Sequence, residues 1–352
     1  MNTFLKRLFV ISIGFVIILA LRIIISPYHI GNPNYSSKLH FFESNENNFN
    51  SVVFGSSRMY RQVNPTILDS ILSKHNFSTY NFASPATYNP ESYFLFENFI
   101  ENVTPGEVQF AYLELQNLNF LDTGNANTTK GNYWNTLSVL RYCLDYIDAS
   151  DYPKEKKGKL KEVYLKSFMN RLIDFSSLNN LLKSEPFMND INGFYSLEQE
   201  ILDKKDNDNY YKRDSIFHSD YSLLNKRITA AKTIGKLKNN NVELNEIHRK
   251  YLLRLISKSQ NKGIHLVFVL PPRLDLEFYK ELIPIVNSLP KSNTIELASF
   301  PEYKEFYKIE NSFDSGHLNI LGARLFSEEI AKKTKEILEL PTDQIYSLTR
   351  FK

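Results

Sequence analysis

Short apolar segments alternate along the chain with longer amphipathic ones. The apolar segments are Ser51–Gly55, Thr79–Ala83, Gln109–Leu115, Ile264–Leu270 and Thr294–Leu297. Their length and nearly continuous hydrophobicity predict β-strands that are buried on both faces. Because the segments between them have helical patterning, we expect an α/β fold in which helices cover both faces of a parallel sheet, in three layers.

Three segments carry clear helix signals. Asn64 and Pro65 supply an N-cap and a first-turn proline for a helix that continues to Leu72. Pro90–Val103 has helical spacing, and so does Asn319–Leu338, in which basic residues come late. These helices flank the predicted strands and complete the sheet domain.

The middle of the chain has a different pattern. Residues 120–261 are rich in Lys, Asp, Asn and Tyr, show no strand pattern, and contain amphipathic segments at Leu160–Ile173 and Leu244–Ile256. We interpret them as a mostly helical insertion whose charge runs are solvated. The predicted divisions that follow are 51–119 for the first part of the sheet domain, 120–261 for the insertion, 262–340 for the second part and 341–352 for a C-terminal tail.

The N-terminal residues predict export from the cytoplasm. Leu8–Leu21 is free of charge, and the apolar run continues after Arg22 to Ile25, close to the about 20 residues that span a bilayer. Because Lys6 and Arg7 precede this run, we expect a transmembrane anchor at 1–26 with the N-terminus inside. Residues 27–50 would form a polar linker to a domain outside the cytoplasmic membrane, periplasmic or at the cell surface. A cleaved signal peptide is the alternative, and it also implies export.

Composition excludes several function classes. The 42 Lys and Arg residues nearly balance 39 Asp and Glu residues and form no basic stripe, so we expect no nucleic-acid partner. A single cysteine forms neither an intrachain disulfide nor a cysteine-based zinc cluster, and the histidines lack a zinc-ligand spacing such as His-Glu-x-x-His. A Gly-rich phosphate loop is also missing from the sequence. We therefore expect no metal and no cofactor.

The first candidate for chemistry follows the first predicted strand. Phe54-Gly55-Ser56-Ser57-Arg58 places a serine on a tight turn, where its hydroxyl is exposed and a nearby backbone N–H can stabilise an oxyanion. Ligands of open α/β sheets bind beyond the carboxyl ends of the strands, which favours this position. By itself, Gly-Ser-Ser also fits an ordinary turn.

The second candidate lies close to the C-terminus. In Asp314-Ser315-Gly316-His317, a carboxylate three residues before a histidine can hold one ring nitrogen, so that the other takes a proton from a serine hydroxyl. The alternative is that Asp314 caps a turn and His317 is a surface residue. A Gly-x-Ser at the start of the domain combined with an Asp-x-x-His at its end is more specific than either motif alone.

With both motifs present, the sequence resembles the SGNH (GDSL-like) hydrolase superfamily. Gly55-Ser56-Ser57 matches its Gly-Asp-Ser block, and Asp314 and His317 match its Asp-x-x-His block. The resemblance covers roughly 51–119 and 262–338 and implies a Ser57–His317–Asp314 triad. The layout is most similar to the membrane-anchored extracytoplasmic members that act in teichoic-acid D-alanylation and alginate acetylation.

Two family blocks differ in this chain. Ala83 or Ser84 stands where the family has the oxyanion-hole glycine of its second block, and Gln116-Asn117-Leu118-Asn119 replaces the Gly-x-Asn-Asp of its third block. The expected oxyanion donors are the N–H of Ser57, a backbone N–H from Ala83 or Ser84, and a side-chain amide, that of Asn117 or Gln116. Because one such donor is worth about 10²–10³ in rate, the differences favour a slow acyl transferase over a vigorous hydrolase.

Two arginines and a group of aromatic residues complete the candidates. Arg58 either binds an anionic substrate or pairs with an acid in the fold, and the same choice applies to Arg273, which follows the strand ending at Pro271-Pro272. Tyr133 and Trp134, together with Tyr210 and Tyr211, fit a sugar-stacking platform or, more simply, the core of the insertion.

The resemblance implies a membrane-anchored serine acyltransferase or esterase that acts on O-acyl groups of a cell-envelope glycan. Its expected partners are an acylated envelope polysaccharide or acyl donor, a multispanning membrane acyltransferase and, through the anchor, the lipid bilayer. Two alternatives stay open: a free-standing esterase or deacetylase of soluble esters, and a non-catalytic glycan-binding scaffold on a degenerate SGNH fold.

Overall fold

A computed structural model gives the structure of the protein for residues 3–24, 32–45, 48–118, 123–126, 128, 131–173, 192–203, 208–220, 222–233, 242–272 and 276–340. The chain divides into two compact units. Residues 1–37 and 119–187 form the first unit, and residues 38–118 and 188–352 form the second, which contains the sheet. The segment 120–261, predicted as one insertion, is thus shared between the two units.

A parallel five-stranded sheet is the centre of the second unit. Its spatial order is β2-β1-β3-β4-β5, and every neighbouring pair is parallel. The predicted parallel α/β sheet is confirmed, and each strand lies within its predicted segment. The strands are β1 (Ser51–Phe54), β2 (Thr79–Asn81), β3 (Phe110–Glu114), β4 (His265–Leu270) and β5 (Thr294–Glu296).

The helices account for most of the remaining described residues. They are α1 (Thr3–Ile24), α2 (Pro33–Ser44), α3 (Ser57–Gln62), α4 (Pro65–Ile71), α5 (Glu91–Asn102), α6 (Thr123–Ala126), α7 (Gly131–Trp134), α8 (Leu137–Ala149), α9 (Lys154–Ile173), α10 (Leu197–Asp203), α11 (Asp208–Ser219), α12 (Ser222–Thr233), α13 (Val242–Asn261), α14 (Leu276–Ser288) and α15 (Ile320–Leu338). Short 3₁₀ turns occupy Ser73–His75, Lys291–Asn293, Lys304–Tyr307 and Ile309–Asn311.

Helices pack on both faces of the sheet. The hydroxyl of Tyr112, on β3, lies 2.8 Å from that of Thr334 on α15. Phe54, on β1, packs instead against Phe99 of α5, with ring centroids 5.3 Å apart. Because Tyr112 pairs in register with Val53, the neighbour of Phe54, the two rings point to opposite faces. The result is a helix–sheet–helix arrangement.

The structure differs from the prediction at the segment expected to be a linker. Within 27–50, helix α2 extends from Pro33 to Ser44, and the side chains of Lys38 and Phe42 are buried. The Phe42 ring lies 5.1 Å from that of Phe82 and 5.6 Å from that of Phe99. Apolar burial of this kind stabilises a helix in a segment whose polar composition suggested an exposed chain.

In the first unit, helices α7, α8 and α9 pack through aromatic and polar contacts. The Trp134 side chain is buried and meets Tyr164 edge to face, at 6.4 Å between centroids. The amide of Asn135 donates to the carbonyl of Tyr164 at 2.9 Å. Tyr133 is also buried, so both aromatic residues belong to the core of this unit.

Helix α1 exposes much of its apolar surface, including the side chains of Phe4, Phe9, Val10 and Ile11. Among the described residues, we find no helix with both the length and the hydropathy needed to cross a membrane.

Candidate active site

The strand order identifies one edge of the sheet as the place for a ligand. In the order β2-β1-β3-β4-β5, the chain reverses its direction of winding between β1 and β3. Open parallel sheets bind their ligands beyond the carboxyl ends of the strands at such a switch point. Ser57 follows β1 and Asn117 follows β3, so both leave the sheet at this point.

A tight turn carries Ser57 from β1 into α3. Gly55 has a φ of +153°, which disfavours residues with a side chain. The hydroxyl of Ser56 caps α3 by accepting the N–H of Arg58 at 3.3 Å. Ser57 is therefore the first residue of the helix, with its side chain half-buried at the carboxyl edge of the sheet.

Glu114 holds this turn from the neighbouring strand. Its carboxylate is fully buried at the end of β3 and accepts the N–H of Ser56 at 2.7 Å. A Cβ on Gly55 would lie 2.7 Å from the Cβ of Glu114 and 2.6 Å from the Cγ of Met59. Only glycine leaves enough space for the acid beneath the turn.

A second loop, directly before α15, carries Asp314 and His317. Ser312 and Leu318 form an antiparallel bridge, and the N–H of Phe313 donates to the carbonyl of His317 at 3.0 Å. Phe313 and Leu318 are buried and anchor both ends of the loop. The loop is thus a closed hairpin that turns His317 toward Ser57.

The structure brings Ser57, His317 and Asp314 together. The Nε2 of His317 lies 2.9 Å from the Oγ of Ser57, and its Nδ1 lies 3.0 Å from the Oδ1 of Asp314. The carboxylate therefore fixes the Nδ1–H tautomer and leaves Nε2 to accept the serine proton. These distances are those of a connected nucleophile, base and acid.

Burial and neighbouring charges set the ionisation of Asp314 and His317. Burial alone would raise the pKa of Asp314, but the hydrogen bond with His317 and the charges of His317 and Arg213 lower that pKa to about 2. The pKa of His317 lies below its ordinary value because of burial, opposed by Asp314 and reinforced by Arg58 and Arg213. At neutral pH, Asp314 is thus an anion and His317 a neutral base.

Ala83 and Ser84, expected to offer a backbone oxyanion donor beside that of Ser57, are both engaged. The N–H of Ala83 donates to the side chain of Asn81 at 3.0 Å, and the N–H of Ser84 donates to the carbonyl of Gly55 at 3.1 Å. Either N–H would have to leave its present partner before it could bind a substrate oxygen.

Two other groups at the same edge have unused hydrogen-bonding capacity. The N–H of Ser57 donates to none of the described residues. Asn117 is half-buried, and its Oδ1 is sealed from solvent without a hydrogen-bond partner in the described part of the chain. The unpaired Oδ1 of Asn117 is an acceptor, whereas an oxyanion would need the Nδ2 group of the same amide as its donor.

Of the two candidate arginines, the structure describes Arg58 and not Arg273. Arg58 lies half-buried in the first turn of α3, and its positive charge acts on His317. Arg273 lies outside the described residues, so its predicted contact with substrate stays a prediction.

Besides Glu114, two charged residues near the site went unnoticed in the sequence. Lys38 is buried, and its Nζ donates to the carbonyls of Asn81, Ala83 and Gly193 at 2.7–2.8 Å. Arg213, on α11, forms an ion pair with Asp314. Neither belongs to a motif, whereas Glu114 had a recognisable signal as the one charged residue of an otherwise apolar strand.

In comparisons with known proteins, the chain matches no family model and no curated protein.

Proposed function

We propose that the protein is a membrane-anchored, extracytoplasmic serine acyltransferase or esterase that acts on O-acyl groups of a cell-envelope glycan. The observation that carries the proposal is the unbroken hydrogen-bonded series from the Oγ of Ser57 through the imidazole of His317 to the carboxylate of Asp314. Its support from sequence is the resemblance to SGNH hydrolases at Gly55–Ser57 and Asp314–His317.

In the proposed reaction, the Oγ of Ser57 attacks the acyl carbonyl while its proton passes to the Nε2 of His317. The carbonyl oxygen becomes an oxyanion, which the N–H of Ser57 and the amide of Asn117 stabilise. Collapse of the intermediate breaks the ester bond, and His317 returns the proton to the departing alkoxide. A glycan hydroxyl then attacks the acyl-serine and loses its proton to His317. When the bond between the acyl carbon and the Oγ of Ser57 breaks, His317 returns that proton to the Oγ, and the glycan leaves with the acyl group.

We favour transfer over hydrolysis because this site offers fewer free oxyanion donors than the SGNH pattern has. Ala83 and Ser84 both use their N–H groups within the fold, so fewer donors face the developing charge. Slow chemistry suits an enzyme whose acyl donor and acceptor are held beside it, as a multispanning acyltransferase partner would do. A free-standing esterase would instead turn over soluble esters with water alone.

Membrane attachment belongs to the same proposal. Along α1, the side chains of Phe9, Val10 and Ile11 are each at least 60% exposed, an arrangement that suits contact with lipid. Alkaline carbonate tests this attachment, because it releases peripheral proteins and leaves anchored ones in the membrane pellet. Recovery of the full chain in the supernatant would contradict the anchor without affecting the triad.

Labelling with a fluorophosphonate probe tests the nucleophile. The probe should bond to Ser57 with loss of fluoride, and Ser57→Ala should abolish both labelling and acyl release from p-nitrophenyl acetate. Ser44→Ala, which removes an exposed hydroxyl on α2, should label like the wild type. Undiminished labelling of Ser57→Ala would remove Ser57 from the mechanism, and an unreactive wild type would favour the glycan-binding scaffold.

Two measurements separate transfer from hydrolysis and identify the glycan. Envelope polysaccharide should lose O-acyl groups when the chromosomal copy carries Ser57→Ala. Purified protein should release acyl groups from p-nitrophenyl acetate faster when an acceptor glycan is added. Equal rates with and without the acceptor would favour the free-standing esterase.

A further inference from the structure

The carboxylate of Asp314 has more partners than a catalytic triad requires. Its Oδ1 accepts the N–H of Gly316 at 2.7 Å, the N–H of His317 at 2.9 Å and the Nδ1–H of His317 at 3.0 Å. Its Oδ2 is bound by the guanidinium of Arg213 and lies 3.2 Å from the same Nδ1. The local loop thus serves Oδ1, whereas Oδ2 takes its charged partner from a distant helix.

Arg213 reaches this carboxylate from the predicted insertion. It lies on α11, 101 residues before Asp314, and its side chain is 47% exposed whereas that of Asp314 is 4% exposed. The neighbouring residue Lys212 is exposed on the same helix. Of the two adjacent cations, only Arg213 pairs with the acid, so the contact is specific to its position.

We propose that Arg213 is a positioning residue of the active site, which the insertion supplies to hold Asp314 in the orientation that His317 needs. The inference rests on the proposed Ser57–His317–Asp314 mechanism. A carboxylate fixed at both oxygens cannot rotate away from Nδ1, so the imidazole stays aligned with Ser57. The planar guanidinium is suited to this task because its donors are fixed relative to one another.

The charge of Arg213 acts on His317 as well as on Asp314. The groups that act on His317 are Asp314, which raises its pKa, and Arg58 and Arg213, which lower it. Loss of the Arg213 charge must therefore raise the pKa of His317. Since His317 works as a neutral base, the acidic limb of the rate profile must move to higher pH.

The test measures fluorophosphonate labelling rates of the full chain from pH 4.5 to 8. In Arg213→Met, the midpoint of the acidic limb should rise by roughly 0.5–1 pH unit, as expected for removal of a nearby charge. Its plateau rate should fall about 10-fold, within the range that misplacement of a reacting group produces. Lys212→Met removes the same charge one residue away and should change neither quantity.

Arg213→Lys separates charge from geometry. It keeps the positive charge but loses the planar fork, so its midpoint should stay near that of the wild type while its plateau rate falls. This variant also decides the matter if Arg213→Met fails to fold, as judged by circular dichroism. A plateau rate for Arg213→Lys equal to that of the wild type would then overturn the proposal.

Two further outcomes are distinguishable. If Arg213→Met folds and matches Lys212→Met in midpoint and plateau, Arg213 has no positioning role, although the triad stands as long as Ser57→Ala is unreactive. If Ser57→Ala still reacts, the proposed mechanism fails, and the role of Arg213 fails with it.

Discussion

The carboxylate of Glu114 lies beneath the turn that presents Ser57 and accepts the N–H of Ser56 at 2.7 Å. It joins the carboxyl ends of two adjacent strands, β1 and β3, at the point where the sheet order reverses. The position of the proposed nucleophile therefore depends on the acid beneath the turn.

Replacing Glu114 should reveal this dependence. Glu114→Ala leaves the Ser56 N–H buried without a partner, so we expect the free energy of unfolding to fall by about 2–3 kcal/mol. Glu114→Gln keeps an acceptor oxygen of similar shape and should lose much less. Denaturant titration measures both, with the exposed Glu43→Ala as the control. Equal losses for the Ala and Gln variants would show that charge, not the hydrogen bond, matters.

Gly55 should tolerate no side chain. In Gly55→Ala, the new Cβ would lie within 3 Å of both Glu114 and Met59, in addition to the cost of a positive φ. We expect a loss of about 2–4 kcal/mol in stability and little remaining labelling of Ser57.

Gly106 is the matched control for this change. Its φ is +87°, and a Cβ there would meet nothing within 4 Å. Gly106→Ala should therefore lower the free energy of unfolding only by the cost of a side chain at a positive φ, about 1 kcal/mol, and should leave the labelling of Ser57 intact. If both variants lose the same amount, the close contact with Glu114 is unimportant.

The sequence predicted the sheet well because buried parallel strands are nearly continuous in hydrophobicity, as in Ile264–Leu270. Ser57, Asp314 and His317 could be singled out as candidates because each belongs to a short motif within one loop: Gly55–Ser57 in the first loop and Asp314–His317 in the second. Arg213 and Lys38 escaped notice, since nothing in a charged or polar segment shows which cation will meet a buried acceptor. Helix α2 was missed for a related reason: its stability comes from aromatic contacts with distant residues such as Phe99.

Asn117 should be important for rate and not for stability. Its Oδ1 has no hydrogen-bond partner in the described structure, so Asn117→Ala should leave the free energy of unfolding within about 0.5 kcal/mol of the wild type. In the proposed reaction the Nδ2 group of this amide donates to the oxyanion, and its loss should slow labelling and acyl release by about 10²-fold. Asn102→Ala, at an exposed position, is the control. A large drop in stability with an unchanged rate would assign Asn117 to the fold instead.

The pKa directions predict how activity and stability depend on pH. Since the pKa of His317 lies below 6.5, labelling should reach half its maximum below pH 6.5, and Asp314→Asn should reduce the maximum by about 10²–10⁴-fold. The unfolded state binds the His317 proton more readily, so stability falls as the pH drops through 6.5.

Asp314 affects the pH dependence of stability over a lower pH range than His317 does. Its pKa falls from 3.8 in the unfolded chain to about 2 in the fold, so its stabilisation is complete above pH 3.8 and is lost toward pH 2. The difference in unfolding free energy between the wild type and Asp314→Asn should shrink over this window. A difference that stays constant from pH 5 to pH 2 would contradict the lowered pKa.

His317 follows Ser57 by 260 residues along the chain, and this separation has a consequence for biosynthesis. A ribosome adds roughly 5–20 residues per second, so the hydroxyl emerges some tens of seconds before its base is made. Throughout that interval the nascent chain carries only an ordinary, unactivated serine. Under the proposed mechanism, a truncated product ending before Asp314 would lack both the base and its carboxylate, and its Ser57 would not be acylated.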